Sequence, residues 1–179
     1  PRAEAGYARS ACELQDHGLE DSLDIVRLLP ECESAWKHQV PVRLELPISN
    51  LNRTVGTILS SEISRYTGAN GLREDTIHLQ FTGAAGQSFM AFGAKGITAI
   101  LEGDVNDYCG KGLSGAKVAV LPPEEGAFTP EENVICGNVA LYGATSGFLY
   151  VRGAAGERFA VRNSGAHAVV EGLGDHGCE

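Results

Sequence analysis

Glycine returns about every ten residues through most of this chain, and each time it opens a short apolar segment typical of a β-strand. Examples are Gly96, which opens GITAIL, and Gly147, which opens GFLYV. A fixed internal period of this kind is typical of stacked repeats, because one repeat cannot bury its own apolar face. The period therefore predicts an all-β solenoid, in which two strand-and-turn steps of about 19 residues form one β-helix coil.

The glycines of these steps are predicted to be structural. Glycine suits a corner where the backbone turns sharply or takes a positive φ, and where a side chain would collide with the neighbouring coil. The turn glycines predicted to have this role are Gly86, Gly96, Gly115, Gly143, Gly147, Gly153, Gly156 and Gly165.

The first 75 residues lack this period. Leu19–Leu29 has helical spacing that stops at Pro30, which predicts a helix ending there. Val40–Leu46 alternates in polarity and predicts a strand. A second helix is expected to begin after an asparagine cap and to reach about Tyr66. The chain is thus predicted to divide into a linker or extension over residues 1–75, with one or two helices and a strand, and repeats over residues 76–179.

Two places depart from the repeat pattern. Leu121–Asn133 (LPPEEGAFTPEEN) is rich in proline and glutamate, so we expect a solvated loop extruded from one coil. The last residues, Asp175–Glu179, still continue the repeat and show no capping element, which predicts repeats truncated at the C-terminus.

The net charge and the lack of long apolar runs argue against nucleic acid and membranes as partners. The formal net charge is −9, whereas a protein that binds nucleic acid or an anionic membrane normally carries the opposite balance. No apolar run approaches the roughly 20 residues of a membrane span, and the N-terminus lacks the apolar core of a signal peptide. The five cysteines are an odd number and widely scattered, which favours a reducing cytoplasm.

Two glycine-rich motifs invite a nucleotide-binding hypothesis. Gly110–Gly115 (GKGLSG) lacks the adjacent Lys-Ser or Lys-Thr pair of a phosphate-binding loop. Gly143–Gly147 is followed by strand-like sequence and not by the helix that a dinucleotide loop requires. We therefore interpret both as structural turns.

Metal-ligating residue types are also present, but their spacing argues against a metal site. The acidic residues around Asp104 and Asp107 do not recur from repeat to repeat, as a calcium-binding β-roll would require. His167 and His176 are half a coil apart, so we expect them on different faces of the solenoid. Cys109 and Cys136 are interpreted as small apolar core residues. The sequence thus predicts no catalytic, cofactor-binding or metal-binding residue in this segment.

Positive charge is concentrated in three arginines, Arg152, Arg158 and Arg162. Arginine suits bidentate contacts at interfaces, so these residues are candidate interdomain contacts. Pairing with nearby glutamates is the alternative.

Long stretches of the chain resemble the C-terminal glycine-repeat (GXGXG) domain of the glutamate synthase large subunit. The matching segments are Gly112–Val120 (GLSGAKVAV), Glu132–Thr145 (ENVICGNVALYGAT) and Gly153–Cys178 (GAAGERFAVRNSGAHAVVEGLGDHGC), with Leu46–Gly56 and Leu101–Tyr108 upstream. The resemblance covers essentially the whole chain. It implies a right-handed parallel β-helix, to which the pattern of residues 1–75 adds a helix-containing N-terminal extension.

The resemblance also implies a function. The parent enzyme, an oxidoreductase, forms two glutamates from glutamine and 2-oxoglutarate, with FMN and an iron–sulfur cluster held outside this segment. The expected partners are the glutaminase and synthase domains of the same chain, and a small electron-donating subunit is a further candidate. Two alternatives stay open: a β-helix subunit of a related oxidoreductase, such as a formylmethanofuran dehydrogenase-like complex, and a free-standing carbohydrate-binding solenoid.

Overall fold

The structure is a computed structural model that describes residues 16–123, 129 and 132–179. The predicted loop at Leu121–Asn133 therefore lies largely outside the described residues. Among them are two α-helices, a π-helix at Asp24–Leu28 and a 3-10 turn at Gly68–Asn70. The α-helices are α1 (Leu29–His38) and α2 (Thr57–Thr67). The strands are β1 (Val42–Ile48), β2 (Ile77–Ala85), β3 (Ile97–Val105), β4 (Ser114–Leu121), β5 (Val134–Cys136), β6 (Ser146–Ala155) and β7 (His167–Leu173).

These seven strands form one parallel sheet. Its order is β1-β2-β3-β4-β6-β5, with β7 paired to β6 and a further contact between β3 and β5. The repeat length reappears as the offset between paired residues, since Ile77 pairs with Ile97 and Phe148 pairs with His167. The long strands β3 and β6 alternate between buried and more exposed residues, so the sheet has an inner and an outer face.

The inner face packs on a second layer, which is made of the turn segments that follow the strands. These segments are joined by a ladder of backbone hydrogen bonds: Ser88 N donates to Asp107 O (2.9 Å), and Gly110 N donates to Phe89 O (2.9 Å). The Phe89 ring meets the Phe81 ring of β2 edge to face at 5.4 Å. One hydrophobic core therefore lies between the sheet and the turn segments.

The turn segments have a backbone that the sequence did not suggest. In the first of them, Ser88, Met90 and Phe92 have φ values of 61°, 54° and 57°. The same left-handed conformation recurs at alternate residues in the later segments. The non-glycine residues with a positive φ in the later turn segments are Tyr108, Val139, Leu141, Arg158, Ala160, Arg162, His176 and Cys178.

The prediction of an all-β right-handed parallel β-helix is wrong. The structure is an α/β fold, a seven-stranded parallel sheet with two α-helices. The helices are integral to it, because Leu28, Trp36 and Leu59 belong to the same core cluster as the strand residues. The glycine period predicted the spacing of the strands. It carried no information on the helices that pack at one end of the hydrophobic core.

The N-terminal helix also differs from its prediction. Pro30 was expected to end a helix over Leu19–Leu29, but it lies at the beginning of α1, directly after the π-helix, and the helical region continues through it. The helical region begins with the π-helix and continues to His38. The strand and second helix lie close to their predicted places, at β1 and α2.

Candidate functional site

The predicted turn glycines are restricted in two ways, by a positive φ or by the close approach of neighbouring atoms. Gly96 and Gly147 have φ values of +99° and +108°, and a Cβ at Gly147 would lie 2.5 Å from Ala116 O. At Gly165, φ is not in the left-handed range, but a Cβ would lie 2.2 Å from Thr145 O. Gly115, Gly143 and Gly153 also have positive φ, whereas Gly86 and Gly156 are confined by neighbouring atoms.

A second column of glycines was missed by sequence reasoning. Gly83 and Gly103 lie inside β2 and β3, face each other across the sheet and have φ values of +130° and +146°. A Cβ on Gly103 would lie 1.8 Å from Gly83 O, so no larger residue fits without backbone movement. The available signal was the spacing of 20 residues between them, which matches the strand offset.

The three arginines predicted to contact other domains are not brought together. Arg152 lies on β6 with its side chain on the exposed side of the sheet. Arg158 and Arg162 lie in the turn segment after β6, where both have left-handed φ values. Two different surfaces therefore carry the positive charge.

A cleft of about 230 Å³ opens at the beginnings of β3, β4 and β6. Its main charged group is Lys117, whose Nζ lies 3.0 Å from Glu74 Oε2 and 3.2 Å from Asp75 Oδ2. Hydrogen bonds from Thr98 and then Lys117 lower the pKa of Asp75, and bonds to Glu74 and Asp75 raise the pKa of Lys117. These groups are solvated, so the network contributes little to stability.

Beside this cleft, aromatic side chains line the outer face of the sheet. The Phe148 ring stacks on the His167 ring at 5.2 Å and on the Tyr150 ring at 6.2 Å. Tyr150 is 44% exposed, and Val169, its partner on β7, is 61% exposed. This face thus presents apolar surface to solvent, with Arg152 next to it along β6.

Among the residues that the structure describes, Asp24 is a buried acidic group, at 2% exposed. Its carboxylate accepts hydrogen bonds from the backbone N–H groups of Gly56 (2.8 Å), Ile58 (2.9 Å) and Leu59 (3.0 Å). Burial raises the pKa of Asp24, and the three N–H donors offset part of that rise. Asp24 thus ties the π-helix to the beginning of α2.

The potential metal ligands are dispersed. His167 stacks on Phe148, whereas His176 lies 3.1 Å from Glu179, and Cys178 is exposed. Asp107 accepts the N–H of Asn138 (2.8 Å). Among residues 16–123, 129 and 132–179 no three histidine, cysteine or acidic side chains group together.

Three cysteine side chains of the described residues, Cys32, Cys109 and Cys136, are buried in the core. Cys109 and Cys136 are fully buried and contact each other. Their hydrogen bond, together with burial, raises the pKa of Cys109. Burial raises the pKa of Cys32 to about 12. The thiolate is the nucleophilic form of cysteine, and a raised pKa makes it scarce. We therefore interpret these buried cysteines as packing groups.

No helix in the described part of the chain combines the length and the apolar character that crossing a bilayer requires.

Comparison with known proteins identifies the family. Residues 24–179 match the family model described as the GXGXG motif, and the chain belongs to that family. The chain is 56% identical over 165 residues to "Glutamate synthase [NADPH] large chain" of Bacillus subtilis, a match covering 92% of this chain and 11% of the relative. These matches confirm the resemblance to the GXGXG domain of glutamate synthase.

Further relatives have different names. "Glutamate synthase [NADH]" of Schizosaccharomyces pombe is 54% identical over 97% of this chain and 8% of its own length. "Ferredoxin-dependent glutamate synthase 2" of Synechocystis is 51% identical over 84% of this chain and 10% of its own length. The chain therefore spans about a tenth of the curated relatives that it matches.

Proposed function

We propose that this chain is a non-catalytic structural domain of a glutamate synthase. The observation that carries the proposal is its similarity to relatives with three electron donors. The identity is 56%, 54% and 51% for relatives named after NADPH, NADH and ferredoxin. A segment that is similar across these donors serves a step that the donor does not change.

The proposed step is the positioning of the catalytic domains. The parent would form two glutamates from glutamine and 2-oxoglutarate in the cytoplasm, and its glutaminase and synthase domains would be the partners of this segment. FMN and an iron–sulfur cluster would be held by those other parts, and a small subunit could deliver electrons. The segment suits a spacer, because one continuous core runs from Leu28 to Phe159.

The geometry of the described residues supports a structural role. The tight contacts of Gly103 and Gly147 hold backbone against backbone, and the buried Asp24 is fully engaged with α2. These features stabilise the body of the segment.

The test is the chemistry of the purified chain. It is expected to be colourless and to show neither glutamine hydrolysis nor glutamate formation when supplied with glutamine, 2-oxoglutarate and a reductant. Bound flavin absorbance, or turnover of glutamine above that of a heat-unfolded sample, would contradict the non-catalytic assignment.

A further inference from the structure

The outer face of the sheet carries a continuous apolar row, which we call the outer-face cluster: Ile100, Ala119, Phe148, Tyr150 and Val169. Four of these residues lie at paired positions across β3, β4, β6 and β7. Phe148 lies two residues before Tyr150 on the same side of β6, and their rings are nearly parallel, at 4°. The cluster thus extends over four adjacent strands.

Parallel sheets are normally covered on both faces, because their crossover connections pack there. In this chain the turn segments cover the inner face. The described α-helices leave the outer-face cluster uncovered, because α1 packs on β1 and α2 packs on α1. An uncovered apolar surface that is contiguous over several strands is a candidate interaction site.

Charge next to the cluster indicates the chemistry of its occupant. Arg152 is exposed, and among the described residues it has no carboxylate within ion-pair distance. Lys117, which pairs in register with Phe148 on the side of the row away from Arg152, is already ion-paired with Glu74 and Asp75. An occupant would therefore present apolar side chains to the cluster and a carboxylate to Arg152.

We propose that the outer-face cluster is the docking surface for another domain of the same polypeptide, one that presents an apolar patch with an acidic residue at its edge. About nine-tenths of each matched relative lies outside the region similar to this chain, so most of the polypeptide is available to cover the face. This inference rests on the proposed function, since it presumes that the chain is one domain of such a protein.

The chain provides a matched pair of tyrosines for the test. Tyr150 is 44% exposed in the outer-face cluster, and Tyr108 is 36% exposed in the turn segments behind the sheet. Without a covering domain, the two rings would react to similar extents with a small solvent probe. Hydroxyl-radical footprinting with mass spectrometry, on the full-length parent, measures both in one sample.

In the native parent, oxidation of Tyr150 is expected to be several-fold lower than that of Tyr108, after each is normalised to the urea-unfolded protein. The ratio is expected to stay constant when the parent is diluted. Equal reactivity of the two tyrosines would overturn the proposal. Protection of Tyr150 that disappears on dilution would also overturn it, because the occupant would then be a second copy.

The footprinting result can fail independently of the proposed non-catalytic role. An exposed Tyr150 in a parent that couples glutamine use to glutamate formation would remove this docking surface and leave the structural role intact. A protected Tyr150 in a chain that itself binds flavin would retain the surface and remove the non-catalytic assignment.

Discussion

At the scale of single residues, the tightest constraint lies inside the strands. Gly103 combines a φ of +146° with a place for a Cβ only 1.8 Å from Gly83 O. Gly143 has a φ of +62° but no atom within 4 Å of its Cβ position. Gly143 thus provides a comparison position with a left-handed backbone and no close approach.

Gly103→Ala is expected to lower the free energy of unfolding by about 3 kcal/mol or more, because strain and overpacking combine at this position. Gly143→Ala, the control, should cost only about 1–2 kcal/mol, the penalty of a left-handed residue. Urea unfolding followed by circular dichroism measures both. Equal losses for the two variants would show that the strands can separate at Gly103 without penalty.

The sequence predicted part of this residue-scale picture. Glycines such as Gly96 and Gly147 stand out because each opens an apolar segment. Left-handed residues such as Val139 and Leu141 could not be predicted, because their side chains are ordinarily unfavourable there. Their conformation is set by hydrogen bonds to neighbouring turn segments, as from Leu141 N to Cys109 O (2.8 Å), and such partners are distant in sequence.

At the scale of elements, the hydrogen bonds of Asp24 connect the π-helix to α2. Its carboxylate receives three N–H groups from residues at the beginning of α2, although it belongs to the π-helix before α1. The helical pattern around Leu19–Leu29 predicted that a helix exists but not where it ends, because Pro30 is equally suited to a first turn. Neither the π-helix nor the buried cap leaves a signal in a single sequence.

The charge on Asp24 should make stability depend on pH. Because burial raises the pKa of Asp24 in the folded chain, the folded state binds more protons than the unfolded state between the two pKa values. The stabilising contribution is complete below the unfolded pKa and is lost as pH rises through the folded pKa. Asp24→Asn mimics the protonated form at every pH.

The unfolding free energy of the wild type, relative to that of Asp24→Asn, is therefore expected to fall as pH rises from 4 to 7. Chemical denaturation at several pH values measures the difference. A difference that grows with pH would mean that the N–H donors of α2 outweigh the cost of burying the charge.

At the scale of the whole molecule, the glycine period matches the register of β2 with β3 and of β6 with β7, but not that of β4 with β6, where Lys117 pairs with Phe148. The fold class had to be corrected to α/β. The period is a local property of residues 76–179 and carries no information on how Trp36 or Leu59 pack. The family resemblance identified the parent, but the place of Arg152 beside the outer-face cluster depends on strand register. The division at residue 75 stays a prediction, with β1 paired to β2 across it.

In the proposed role, this segment positions the catalytic domains of its parent through the outer face of the sheet. The most direct measurement compares glutamine consumed with 2-oxoglutarate consumed in the full-length parent carrying Tyr150→Glu, with Tyr108→Glu as the control. Tyr150→Glu is expected to raise the ratio above that of the wild type, because ammonia released from glutamine by the glutaminase domain would escape before the synthase domain uses it. Tyr108→Glu is expected to leave the ratio unchanged. An unchanged ratio in both variants would contradict the claim.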